Sequence, residues 1–262
     1  ERILELHPGA LYKNRFGTVI VRRDGAEYEI TTFRSDHEYE DFRRPTRVEF
    51  GDSIGDDLAR RDFTVNAMAW GRRADEPAPA LVDPFGGAAD VTARVLRAVG
   101  DPHERFREDA LRMIRAVRLA ATLDMTIDPP TLAAIEAHAH LADHLSEERV
   151  AAELEKLLEA PRPSVGLRLM DRTRLLDVVL PELSIQRGIP QDKHPGEDLL
   201  GHTLRTVDAA PVGRPIVRLA ALLHDMGKPA SFADGHFYGH ETVGAEQAEA
   251  LIRRLRMPRA IG

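Results

Sequence analysis

The 262-residue chain contains no cysteine, which excludes disulfide bridges and thiolate metal sites. No apolar run approaches the ~18 residues that a membrane span requires. The N-terminal stretch lacks the charged, then apolar, then small-residue order of a secretory leader. These absences make the cytoplasm the expected setting and leave no membrane partner. Lysine is scarce, so the 36 basic residues are nearly all arginine, and coding bias explains that more simply than phosphate binding does. A net charge of −7 excludes a uniformly basic nucleic-acid binder but leaves room for a local basic groove. What remains is ordinary for a soluble globular protein, 43% hydrophobic and 30% charged, with length for one large domain or two to three small ones.

Residues 16–34, FGTVIVRRDGAEYEITTFR, read as a β-hairpin turning at Asp24-Gly25, because β-branched and alternating segments flank a dipeptide suited to positive φ. A polar loop containing Pro45 and Gly51 is expected next, then a helix from Asp57 to Trp70. Pro77 and Pro79 mark a loop, and LVDPFGGAADV a short strand and turn. From Pro102 the pattern turns helical, with Phe106, Ala110, Met113, Ile114, Val117 and Ala121 spaced by three and four. Further helices are expected in DPPTLAAIEAHAHLA, in SEERVAAELEKLLEA with Ser146 as N-cap, in SVGLRLMDRT, and over 197–210 and 214–227. A proline-bearing linker, PELSIQRGIPQDKHPGED, precedes the last two.

Against this pattern the stretch DLARRDFTVNAMAW, residues 57–70, stands out, because two arginines and an aspartate precede an apolar run holding an asparagine. Arginine forks bind phosphate oxygens, and the carboxylate of Asp62 and amide of Asn66 suit ribose hydroxyls. Four residues apart, these two would share a helix face, anchored by Val65, Ala67, Met68 and Trp70 in the core. The plain alternative makes Arg60 and Arg61 solvated and Asp62 an N-cap. The stretch resembles, nearly residue for residue, a signature of the bacterial CCA-adding enzymes and the related bacterial poly(A) polymerases. FGTVIV, YEITTFRSDHEYEDFRRPTRVEF, DPFGG and RFREDALRMIRAVRLAATL match that family in the same order, over roughly residues 1–190.

The resemblance implies a role for EDALR, where the family uses an aspartate and an arginine as a protein template for the incoming base. Here they are Asp109 and Arg112, three apart and expected on one helix face. A carboxylate accepts from the exocyclic amine of C or A, and a guanidinium donates to the neighbouring ring nitrogen. G and U reverse both patterns. Arg115 and Arg118 continue the face and resemble further nucleotide-contacting arginines. The plain alternative is a salt-bridged surface, since Glu108 and Arg112 stand four apart. The family often has proline where Ala110 stands, and alanine keeps a helix.

The family's reaction joins a tRNA 3′-hydroxyl to the α-phosphate of CTP or ATP with Mg²⁺ held by carboxylates. Its Asp-x-Asp strand and Gly-rich phosphate loop precede the FGTVIV hairpin, and neither occurs before Phe16. The expectation is a chain that starts after both and, as it stands, adds no nucleotide. Glu29 in YEITTF matches the family's third carboxylate; a lone strand glutamate is otherwise usually just exposed.

Near the end, GHTLRTVD (201–208) and LLHDMGKP (222–229) resemble the HD phosphohydrolase superfamily. His202, His224 and Asp225 would ligate a divalent metal, since imidazole and carboxylate suit a catalytic ion with an open water position. Lys228 would meet a substrate phosphate, and His240 is a further candidate at the site. The superfamily's last ligand is an aspartate on a later helix, expected to lie beyond residue 262.

The fold class expected is α+β: a nucleotidyltransferase head over 1–100, a helical neck over 101–160 carrying EDALR, a helical body and linker over 161–195, and the start of an HD domain over 196–262. The function implied is CCA addition to tRNA, with an appended HD phosphohydrolase. Poly(A) polymerase shares all the motifs. A metal-dependent phosphohydrolase with an RNA-binding front half is a rival of another class, and an inert RNA-binding fragment a third. Nothing in the sequence fixes the oligomeric state.

Overall fold

The computed structural model describes residues 2–7, 9–12, 18–40, 44–50, 53–72, 76–190 and 194–257, with backbone alone for Arg2, 34–40 and 44–50. Helix α1 (Arg2–Leu6) leads into an antiparallel sheet of β1 (Leu11–Tyr12), β2 (Thr18–Arg23) and β3 (Ala26–Thr31), in register Leu11↔Ile20 and Thr18↔Thr31. The expected hairpin is therefore present, apart from Phe16 and Gly17, which lie outside the described residues. Asp24 and Gly25 both take positive φ, 52° and 78°, the backbone that a two-residue hairpin turn needs to match strand twist. Val19 and Val21 are buried against Ile3, Leu4 and Ala10, while all of β3 is exposed.

Strands β4 (Arg34–Glu40) and β5 (Arg44–Phe50) form a second antiparallel hairpin, with Tyr39↔Pro45 in register. This corrects the expected polar loop; Gly51 lies outside the described residues. The charged residues of both strands hid their alternation, and a two-stranded ribbon leaves free edges where proline is tolerated.

The 57–70 segment is not one helix. Helix α2 (Ile54–Ala59), capped by Ser53, ends at Arg60, and a 3₁₀ turn (Thr64–Asn66) and strand β6 (Ala69–Gly71) follow. Long-range pairing overrides the helical pattern: Thr64 N–H donates to Arg97 O, Val99 N–H to Asp62 O, and Phe63 bridges Ala98. Phe63 and Ala67 are fully buried, Val65 and Met68 half-buried, and Trp70, expected in the core, is 72% exposed. β6 pairs with β7 (Ala80–Val82), followed by α3 (Gly87–Ala93), a helix where only a turn was expected. Asp83 caps α3 by accepting from Gly87 and Ala88 N–H. A Cβ on Gly87 would stand 2.2 Å from Thr64 O, so this glycine of DPFGG permits α3 to close on the 3₁₀ turn.

The helical part runs β8 (Val95–Leu96), α4 (Pro102–Glu108), α5 (Leu111–Leu123), β9 (Thr126–Ile127), α6 (Pro129–His138), a 3₁₀ segment (Ala139–His144), α7 (Glu147–Leu158), α8 (Pro163–Arg172), α9 (Leu175–Val179), α10 (Pro181–Ser184), α11 (Leu199–Ala209), α12 (Pro215–Leu223), α13 (Lys228–Ser231), a small ribbon and α14 (His240–Arg254). β8 and β9 pair in parallel. The expected periodic positions Phe106, Ala110, Met113, Ile114, Val117 and Ala121 are all buried, in one core that continues through α7, α8, α11 and α12. Ser146 precedes α7, but its side chain makes no capping bond. The expected linker after Leu180 starts with α10 and buries Leu183 and Gln186 completely, so it packs as part of the body; residues 191–193 lie outside the described residues.

Candidate functional site

Most of the candidate side chains gather in two clusters. In the first, the 60–66 stretch and α5 meet face on. Asp62 is 9% exposed. Its Oδ1 accepts from Phe63 N–H and Asn66 Nδ2 (2.9 and 3.1 Å), and its Oδ2 from Arg115 Nε and Nη2 (2.9 and 2.6 Å). Burial alone would raise the Asp62 pKa. The Arg115 charge and hydrogen bonds, with those of Asn66 and Phe63, hold it below the usual carboxylate range. Asp62 and Asn66 thus touch although no continuous helix joins them.

Arg112 Nη2 donates to Arg60 O (3.1 Å), and its Nη1 to Glu108 Oε2 and Arg105 O. The Glu108–Arg112 pair raised as the plain alternative is therefore formed. Asp109 is not on a common helix face with Arg112. It ends α4 in extended backbone, φ −150° and ψ 104°, and its Oδ1 accepts from Leu111 N–H at the start of α5. The side-chain hydrogen bond competes with helix continuation. Its Oδ2 accepts from Arg149 Nη2 on α7 (2.7 Å). Arg118 donates to Glu153, itself 3% exposed, which also lies 3.8 Å from Arg115. Arg115 and Arg118 do share a face, gathered on one carboxylate. Arg60 and Arg61 both pair with Asp57. Asp57 lies below the usual carboxylate range, burial being overcome by these two arginines.

Every charge named here is matched by an opposite one, and Arg115–Asp62, Arg118–Glu153 and Arg149–Asp109 pair across elements that sequence spacing does not connect. Arg149 and Glu153 went unnoticed in the sequence, though their four-residue spacing on α7, set among Val150, Ala151 and Leu154, places them together on its polar edge. Glu29 is exposed on β3, opposite Ile20.

The second cluster is at the junction of α11 and α12. His202 Nε2 and His224 Nε2 lie 3.2 Å apart, and Asp225 Oδ2 is 3.3 Å from the first and 3.0 Å from the second. Among the described residues, these three form the one group whose ligand atoms all converge. His224 Nδ1 faces Ala221 O at 2.7 Å, which fixes the proton there and turns the Nε2 lone pair to the cluster. Lys228 Nζ stands 2.8 Å from Asp225 Oδ2, yet that buried oxygen receives no well-directed hydrogen bond. Burial opposes ionisation of Asp225, but the adjacent Lys228 ammonium holds its carboxyl below the usual carboxylate range.

The donor set fits a divalent ion. Ligands about 2.1 Å from one ion stand about 3.0 Å apart on an octahedron and about 3.4 Å apart on a tetrahedron, and the three observed separations fall in that range. His202 and Asp225 are buried, while His224 opens onto a groove of about 450 Å³ between α12 and α14, lined by Leu219, Leu223, Glu241 and Ile252. His240 is outside the converging group; its Nδ1 bonds Phe237 O, whose ring Lys228 Nζ overlies at 5.2 Å.

Comparison with known proteins agrees in order along the chain. Residues 4–97 match the family described as "Poly A polymerase head domain", 124–186 "Probable RNA and SrmB- binding site of polymerase A", and 199–261 "HD domain". The CCA-adding enzyme of Pediococcus pentosaceus is 49% identical over 159 residues, which is 61% of this chain and 39% of that protein. That of a Geobacillus species is 44% identical over 176 residues, 67% of this chain and 42% of that protein. The chain thus spans about two fifths of the length of such relatives. The Bacillus stearothermophilus CCA-adding enzyme in complex with CTP superposes with a TM-score of 0.65 at 29% identity, covering 99% of this chain and 55% of that one. The Thermotoga maritima CCA-adding enzyme complexed with tRNA shares the fold, with a TM-score of 0.64 at 21% identity over 99% of this chain and 54% of that one. No described helix is long and apolar enough to cross a membrane. With its head, RNA-binding and HD segments in this order, the α+β chain belongs to the family of bacterial CCA-adding enzymes and poly(A) polymerases.

Proposed function

We propose that this chain selects the nucleotide for a tRNA nucleotidyltransferase that adds C and A to the tRNA 3′ end from CTP and ATP. The observation that carries the reading is the direct linkage of the two motifs. Arg115 reaches Asp62 across 53 residues, and Arg112 reaches the Arg60 carbonyl across 52.

In this reading the carboxylate pairings are a resting arrangement. A triphosphate bound beside Arg60, Arg61 and Arg118 replaces carboxylate oxygens with phosphate oxygens, which arginine forks accept equally well. Asp62 and Asn66 turn to the ribose hydroxyls. Asp109 exchanges Arg149 for the exocyclic amine of C or A, and Arg112 exchanges Glu108 for the adjacent ring nitrogen. Arg115 keeps Asp62 ionised. Glu29, an oxygen ligand suited to a hard cation, would help hold Mg²⁺, which when bound neutralises charge on the transferring phosphate. The head, neck, body and HD divisions follow this assignment, and the setting is cytoplasmic.

The converging cluster supports a second activity on the same chain, a metal-dependent phosphohydrolase. His202, His224 and Asp225 would hold the divalent ion, which when bound supplies an activated water. Lys228, and His240 if the groove closes, would meet the phosphate.

The test is nucleotide incorporation by a protein that joins this chain to the family's Asp-x-Asp segment, on tRNA lacking its 3′ end. The expected product carries C, C and A. Runs of A without C would make the activity poly(A) addition instead, and no extension with CTP or ATP would remove the reading.

A further inference from the structure

The two imidazoles of the converging cluster are held by opposite kinds of neighbour. His224 Nδ1 faces a carbonyl, Ala221 O, so it carries the proton and Nε2 presents a lone pair. His202 Nδ1 instead faces Arg205 Nη2 at 3.2 Å. Guanidinium has donors and no acceptor, so His202 Nδ1 is the acceptor here and the ring proton sits on Nε2. His202 Nε2–H then points at His224 Nε2, 3.2 Å away, which satisfies the pair without an ion. A metal on His202 Nε2 requires the proton on Nδ1, where it would meet Arg205 donor against donor.

An acceptor for that proton stands one layer out. Asp198 is the N-cap of α11, so Glu197 precedes the cap and His202 is the fourth helical residue, two positions whose side chains meet over the first turn. The Glu197 side chain lies over that turn: a Cβ on Gly201 would be 2.8 Å from Glu197 Cγ. Glu197 grips Arg205 through both carboxylate oxygens, at 3.1 and 2.9 Å. Arg205 is 44% exposed and borders a cavity of about 420 Å³ shared with Arg168, His194 and Glu197, which gives the guanidinium room to swing away.

We propose that Glu197 and Arg205 are positioning residues that set the His202 tautomer, Arg205 favouring the metal-free arrangement and Glu197 accepting Nδ1–H when a metal is bound. This rests on the reading of His202, His224 and Asp225 as metal ligands. Hydrogen-bond partners of metal-bound histidines typically change affinity 10–100-fold when removed. The two substitutions therefore act in opposite directions, although they break the same ion pair.

The test is Mn²⁺ titration of the 262-residue chain, following free Mn²⁺ by electron paramagnetic resonance, with Asp225→Ala defining binding elsewhere. Arg205→Met should bind about tenfold more tightly than wild type, and Glu197→Ala about tenfold more weakly. Changes in the same direction, or none in either variant, would overturn the proposal and leave only a structural ion pair. If Glu197→Ala does not fold, unchanged affinity in Arg205→Met overturns it alone. If wild type, Arg205→Met and Asp225→Ala bind alike, the ligand reading itself fails and this inference falls with it.

Discussion

The neck cluster and the HD-like cluster are built from the same kinds of residue on opposite principles. Around Asp62 and Glu153, each carboxylate is met by an arginine from another element, so charge cancels inside the protein. At His202, His224 and Asp225, two imidazole nitrogens and a carboxylate oxygen point at one place, and the carboxylate oxygen lacks a well-directed donor. A cancelled network holds structure together and answers to a ligand only by exchanging partners. A convergent one is completed from outside by a cation.

The largest effect that sharpens this contrast is on stability. Glu153→Ala strands Arg118, 12% exposed, and should cost about 3–5 kcal/mol, read by urea unfolding, with no dependence on added metal. An unchanged midpoint would mean that the neck arginines do not need this carboxylate. Next in size, Mn²⁺ at a hundred times its Kd should stabilise wild type by about 2.7 kcal/mol. Asp225→Asn should abolish that gain, and a gain equal in both proteins would place the ion elsewhere.

A smaller effect follows from Asp62. Its folded pKa is depressed, so its contribution is fully present above the unfolded value of about 3.9 and is lost as pH falls through the folded value. Asp62→Asn should flatten acid unfolding at the low end of that range. Identical acid profiles would mean that the Arg115 contact contributes no linkage.

Both clusters were named from the sequence, but by different routes. The convergent residues lie in two short motifs that carry a family resemblance, one on α11 and one in the turn after α12, and the packing of those two helices brings them together. In the neck, Asp62 and Asn66 do touch, yet through a 3₁₀ turn fixed by pairing with Arg97 and Ala98, partners some thirty-five residues on in a chain whose periodicity read as helix. Asp109 was assigned to a helix face that its own side chain interrupts. Arg149 and Glu153 stayed hidden because charged residues on an amphipathic helix have many candidate partners, and only the packing of α7 on α5 selects among them. The β4–β5 ribbon escaped because alternation shows in sequence only when one face is apolar.

The central claim is that Asp109 and Arg112 read the base edge, and nucleotide binding by the 262-residue chain tests it without requiring catalysis. Wild type should bind CTP more tightly than UTP by about 1–3 kcal/mol, the worth of one matched pair of base contacts. Asp109→Ala should bring the two affinities together while leaving the triphosphate contacts intact. A CTP preference that survives Asp109→Ala unchanged would contradict the account.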